Sequence, residues 1–377
     1  MKYVKGIGLG ICFLTFFSGA SLLFAEDSYA DDHAKDSVEQ RQRIELEKFY
    51  NGNDSSGKAP MMPMAIGLYN DAVKYFQKGE YDLARQALKE SLEIDKRNAL
   101  AYELLGEIED LQQNFEKAEE YYKQSFLLNP ASRVRQRLEK LQKENKVDRK
   151  MNTYDEEHFI IKYREGEQGY DGYWLKNMLR DVYRQVSQDL GYYLNHKIVV
   201  LFYSRDEFHD VTGQGHFVGG LYDGKIRLPA FRQGFKETDL RAAATHEMTH
   251  AFIALLSGLR APIWIHEGLA QYEENKVKPV DTVVFQSAIT TGALLSIESI
   301  LTENALMKKK DPLEIMLFYQ EAYSLVSYIV QRYQMYSVKE MLGKFKDGKT
   351  AEEAIEESFS VSAKELERAW RATFSKS

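Results

Sequence analysis

Hydrophobic positions divide the 377-residue chain into stretches of different texture. The first runs uncharged from Gly6 to Ala25, with Lys2 and Lys5 before it and Glu26 and Asp27 directly after. A positive flank, an apolar run and small residues near its end mark an export signal. The run also approaches membrane-spanning length, so residues 1–25 read as a signal peptide or an N-terminal membrane anchor. Residues 26–63 are polar, lack apolar periodicity and contain Asn51-Gly52-Asn53-Asp54-Ser55-Ser56-Gly57, which predicts a flexible tether. Residues 65–131 then carry helical apolar spacing that recurs with period 34: Ala72 returns as Gly106, Tyr81 as Phe115, Ala84 as Ala118, Leu88 as Tyr122 and Ser91 as Ser125. Ser132–Glu144 puts Val134, Leu138 and Leu141 on one face and reads as a closing helix, with Arg133, Arg135 and Arg137 as a solvated face. From about Met151 the pattern mixes strand and helix. His158–Arg164 and Lys197–Tyr203 are β-branched and aromatic, and Trp174–Leu190 between them is helical. Gly219–Pro229, with Asp223-Gly224, predicts a turn or hairpin at a sheet edge. Beyond about Asp239 the chain is nearly all helix, with capping boxes at Thr350-Ala-Glu-Glu353 and Ser362-Ala-Lys-Glu365.

The second repeat copy carries Leu105-Gly106, Ala118, Tyr122 and Pro130, and in this it resembles the tetratricopeptide repeat. Small residues stand where paired helices cross and large ones fill the space beside them. Two copies are fewer than such arrays need alone, so the closing helix and the following domain are expected to support them. The layout is then signal or anchor (1–25), tether (26–63), α-helical repeats (64–146) and an α+β domain with a mainly helical C-terminal part (151–377).

Composition narrows the partners. A net charge of −7 and a pI near 5.8 speak against nucleic acid, which needs a basic excess. Membrane contact is expected only through the N-terminal segment. The single cysteine, Cys12, lies inside that segment, and Ile11 before it is too large for a lipoprotein signal. The exported part therefore has no thiol, so any metal there must be held by His, Asp or Glu.

The chemistry gathers in Thr245-His246-Glu247-Met248-Thr249-His250. On a helix, positions i and i+4 share a face, so two imidazoles converge on one metal ion with Glu247 beside them as general base. Thr238 is placed to cap the start of this helix and Ser257-Gly258 to end it. Two unrelated histidines on a polar face would give the same local pattern. The downstream Pro262-Ile263-Trp264-Ile265-His266-Glu267-Gly268-Leu269-Ala270 argues against that, because a carboxylate on a second helix completes a three-ligand site with one open position. Gly268 and Ala270 are expected to let the second helix approach the first.

H-E-x-x-H followed by W-x-x-E-G-x-A resembles the gluzincins, the thermolysin-like zinc metallopeptidases. It is most similar to peptidase-MA-like domains, which are often joined to tetratricopeptide repeats. The likeness runs from about Tyr154 to Phe374 and includes Tyr319-Gln-Glu-Ala-Tyr323 and a tail ending in Trp370. It implies that His246, His250 and Glu267 bind one zinc ion per chain and that Glu247 is the base. His266 is the alternative third ligand. Relatives often use a downstream tyrosine to hold the oxyanion; Tyr319 matches that position better than Tyr323. Related aminopeptidases carry a glutamate where this chain has Tyr222, within Gly219-Gly220-Leu221-Tyr222. That departure favours endopeptidase action, with substrate backbone pairing to Gly219, Gly220 and Leu221. His209 and His216 upstream are expected at the surface or the end of a strand. The expectation is an exported zinc peptidase of the cell envelope, periplasmic or extracellular, acting on peptides or proteins, with the repeats available to a protein partner. The rival is an envelope scaffold that uses the repeats to recruit and the peptidase fold only as a frame.

Overall fold

The computed structural model describes residues 62–164, 171–214, 219–229, 236–302 and 312–374. The expected signal or anchor with Cys12, the tether up to residue 61, and His216 lie outside the described residues. Among the described residues no helix is long and apolar enough to cross a membrane.

The chain opens with two helical pairs. Helices α1 (Met62–Gln77) and α2 (Tyr81–Ile94) pack together, as do α3 (Ala99–Leu111) and α4 (Phe115–Leu128), and α5 (Ser132–Asp148) closes against α4. The period-34 residues are the ones at the crossings. Ala72, Ala84 and Ala118 are fully buried, and a Cβ at Gly106 would stand 2.6 Å from the Tyr122 ring. Only hydrogen fits at position 106, because Tyr122 fills the room beside it. Two of the three arginines of α5 differ from the solvated face expected of them, while Arg135 is exposed as expected. Arg133 reaches Glu103 at 3.0 Å, Arg137 reaches Glu107 at 2.6 Å, and Arg135 lies over the Phe126 ring. Glu103 and Glu107 are buried on α3, so α5 neutralises carboxylates that the repeat would otherwise bury unpaired.

A five-stranded mixed sheet follows, in the order β1-β2-β3-β5-β4. Strand β1 (Asn152–Asp155), which the apolar pattern does not announce, is antiparallel to β2 (Phe159–Tyr163). Helix α6 (Gly172–Leu190) crosses to β3 (Ile198–Tyr203), parallel to β2; Asp171 caps it and left-handed Gly191 ends it. Helix α7 (Arg205–Thr212) leads to the hairpin β4 (Leu221–Tyr222) and β5 (Ile226–Pro229), with β5 parallel to β3 and β4 antiparallel on the edge. Every residue of β3 is buried. Ile198, Val200 and Phe202 face the main core, while Val199, Leu201 and Tyr203 pack with Phe208, Val211 and Leu221. A strand covered on both faces has no alternation to show, hence its unbroken apolar run.

The remainder is helical: α8 (Glu237–Leu256), α9 (Ile263–Asn275), α10 (Val283–Thr291), α11 (Ile297–Leu301), α12 (Pro312–Lys346), α13 (Ala351–Phe359) and α14 (Ala363–Arg371). Both late capping boxes form, at Thr350 with Glu353 and at Ser362 with Glu365. Trp370 is fully buried, stacks against Phe285 and donates its indole N–H to Ser324, tying the tail to the core. The start of α8 corrects the expectation: Lys236 is the N-cap and Thr238 lies within the first turn. Its end is as expected, with Ser257 as C-cap and Gly258 at φ +60°.

Candidate metal centre

Helix α8 is buried along both its apolar and its polar sides, so it shows no amphipathic stripe. Its buried hydroxyls are satisfied within the helix, Thr245 donating to the Arg241 carbonyl and Thr249 to the Thr245 carbonyl, each at 2.8 Å. The polar groups left to look outward are His246, Glu247 and His250. One turn separates the imidazoles, whose ring centroids stand 4.8 Å apart.

Helix α9 packs on α8 and starts after Pro262, which pre-sets the entry backbone. Gly268 lets α9 come close, but to α12 rather than to α8: a Cβ there would stand 2.5 Å from the Ala322 carbonyl and 2.6 Å from Val326. Wedged between α8 and α12, α9 delivers the buried Glu267 to the two histidines. His246 Nε2 is 3.6 Å from Glu267 Oε2, and His250 Nε2 is 3.8 Å from Glu267 Oε1. One ligand atom from each of the three residues falls within 4.8 Å of the others. Tetrahedral ligands at about 2.0–2.2 Å from one ion stand roughly 3.3–3.6 Å apart, so the donor set fits an ion with little movement. Glu267 Oε1 and Glu247 Oε2 are buried atoms without a hydrogen bond, which is costly unless something cationic faces them. The donors, two imidazoles and a carboxylate, are the types zinc takes.

Around these three stand residues that motif spacing did not single out. Glu274, two turns beyond Glu267 on α9, accepts from His246 Nδ1 at 2.9 Å, which turns Nε2 towards Glu267. His250 and His266 share a hydrogen bond between their Nδ1 atoms (3.3 Å). His266 thus stands behind His250, and Glu267 is the carboxylate that meets the two histidines. Burial acts against a charge on His246, yet its bonds to Glu267 and Glu274 outweigh it and raise its pKa well above the usual value. Burial holds His250 well below the ordinary value and His266 at about 4, which keeps both rings neutral. Burial pushes Glu247 up to about 8, against the neighbouring His246.

Glu247 faces the edge of the sheet. A Cβ at Gly220 would lie 2.7 Å from the Glu247 side chain, and the main-chain N–H of Tyr222 donates to its carboxylate. Leu221 belongs to the edge strand and Gly219 is exposed just before it. Tyr222 is half-buried against the main core, and desolvation raises the pKa of its phenol. Tyr319 is buried on α12, one turn before the Ala322 that meets Gly268. Tyr323 is half-buried on α12. His209 lies in the last turn of α7 and pairs with the Gln214 carbonyl.

Comparison with known proteins agrees with this layout. Residues 238–376 match the family model described as Peptidase MA superfamily, and residues 73–108 match the TPR repeat. E3 SUMO-protein ligase RanBP2 from Homo sapiens and its counterpart from Pan troglodytes are each 29% identical over 94 residues. Human RANBP2-like and GRIP domain-containing protein 2 is 35% identical over 74 residues. These matches cover 25% and 20% of this chain, but only 3% and 4% of those proteins, so they say nothing of activity. No solved structure matches. The chain therefore carries a Peptidase MA superfamily domain over residues 238–376, preceded by a TPR repeat.

Proposed function

We propose that this protein is a zinc-dependent endopeptidase of the gluzincin type, exported to the cell envelope and acting on peptide or protein substrates. The observation that carries the reading is the convergence of His246, His250 and Glu267, with Glu247 at their side and the β4 edge across from it. The three residues would hold one zinc ion. When bound there, zinc supplies Lewis acidity, polarising a scissile carbonyl and acidifying water. Glu247, steered by the Tyr222 N–H, takes the proton of the attacking water and returns it to the leaving amine. Glu274 and His266 fix the orientation of the two imidazoles. Tyr319 is the residue assigned to steady the oxyanion.

The edge position of β4 supports endopeptidase action, since an extended substrate can add to Gly219, Gly220 and Leu221 as a further antiparallel strand. No carboxylate stands at Tyr222 to bind a free amino terminus. The test is metal analysis joined to digestion of a peptide library by wild type and Glu247→Gln. The expected result is one zinc in each, with internal cleavage by wild type only. If zinc-loaded wild type cleaves nothing and removal of residues 65–145 abolishes partner capture, the scaffold reading replaces this one.

A further inference from the structure

The edge strand that faces Glu247 is not held by the peptidase domain alone. The β4–β5 turn and the partner strand β5 present two cations to the repeat domain, Lys225 from the turn and Arg227 from the strand, and both are almost completely buried. Lys225 Nζ is 2.6 Å from Asp110 of α3 and 2.5 Å from Glu144 of α5. Arg227 is 2.5 Å from the other oxygen of Glu144 and also pairs with Asp223 in the β4–β5 turn, which in turn takes Lys140 of α5. Gly224, at φ +93°, lies so close to α3 that a Cβ would stand 2.5 Å from Leu111. Two repeat helices thus grip a hairpin that also touches Glu247 through Gly220 and the Tyr222 amide.

We propose that the repeat domain is a positioning element of the active site, with Asp110, Leu111 and Glu144 holding the β4–β5 hairpin in register against Glu247 through Lys225, Arg227 and Gly224. Buried ion pairs suit this role better than a stabilising one. Their Coulomb gain is largely offset by desolvation, but one geometry satisfies them and a shifted hairpin leaves buried charges unpaired. A repeat array that only recruited partners would need no such network beneath the substrate edge. The catalytic part of this inference rests on the peptidase reading; the mechanical part does not.

The experiment uses the full-length, zinc-loaded chain with Asp110→Asn, Leu111→Ala and the conservative Asp110→Glu. Three readouts are taken: zinc content, amide hydrogen exchange of Leu221 and Tyr222 with β3 as internal reference, and kcat with KM on a cleaved library peptide. Asp110→Asn and Leu111→Ala should speed exchange in the hairpin about tenfold or more while β3 and zinc content stay as in wild type. They should lower kcat about tenfold, since small misplacements of a reacting group are costly. Asp110→Glu, which keeps the carboxylate, should restore most of both. Unchanged hairpin exchange overturns the proposal, and so does a loosened hairpin with wild-type kcat. If the wild type cleaves nothing, the peptidase reading fails by itself and the exchange measurement alone decides whether the repeats hold the hairpin. Should Asp110→Asn unfold the chain, Leu111→Ala, which removes only packing, supplies the same comparison.

Discussion

At the scale of single residues, the proposed function assigns His246, His250 and Glu267 to holding a metal and Glu247 to moving protons. Replacing His246, His250 or Glu267 by Ala should remove zinc, at a cost of several kcal/mol of affinity, as metal analysis after dialysis will show. His266→Ala should keep it. If His266→Ala loses the metal and Glu267→Ala does not, the third ligand has been misassigned. Glu274→Gln should weaken zinc binding about 10–100-fold in competition with a chelator, since it loosens His246 without removing a ligand. Glu247→Gln should retain zinc but lower turnover at least about a hundredfold. Tyr319→Phe should raise the barrier by about 2.7–4 kcal/mol with zinc unchanged; the same effect in Tyr323→Phe alone would move the oxyanion donor one turn along α12. His246, Glu247 and His250 were legible because helical spacing fixes which side chains share a face. Glu274 was not: its contact with His246 depends on how α9 crosses α8, which no local pattern records.

At the scale of elements, small residues proved to be contact points, though not always with the expected neighbour. Ala118 is fully buried between repeat helices, so Ala118→Trp should overpack the crossing by about 1–3 kcal/mol or more and lower the denaturation midpoint of the repeats. A wild-type midpoint would mean that the crossing lies elsewhere. Gly268 was read as an approach to α8, and its close partner is α12. The sequence reveals that a helix has a small face; which helix meets it follows from the packing of the rest. Arg133 and Arg137 teach the same lesson, since their partners Glu103 and Glu107 lie thirty residues upstream on α3. The late helix starts were readable in full, because a capping box is complete within four residues.

At the scale of the whole molecule, a second contact between repeats and peptidase domain is made by His196, whose ring packs on Tyr81 (4.9 Å between centroids) and against Gly79. Burial lowers its pKa to about 4. The neutral ring is favoured in the fold, so its contribution is present above about pH 6.5 and is lost as pH falls toward about 4, where the unfolded chain binds the extra proton. Glu321, pushed up to about 7 by burial, acts in the opposite sense between its ordinary value and about pH 7. The measurement is therefore a difference: wild type should lose more stability than His196→Gln on acidification from pH 7 to 4. Equal slopes would show that His196 is not held neutral. By itself the sequence determined the repeat period, the strand β3, the capped helices and the metal motif, because each is written in side chains a few positions apart. The tertiary structure alone decided that Glu274 and His266 stand behind His246 and His250, that α9 is wedged against α12, and that the β4–β5 hairpin carries two buried cations to the repeats. Those facts join residues up to about a hundred positions apart, and such pairings are set by which surfaces must be buried together rather than by any local spacing.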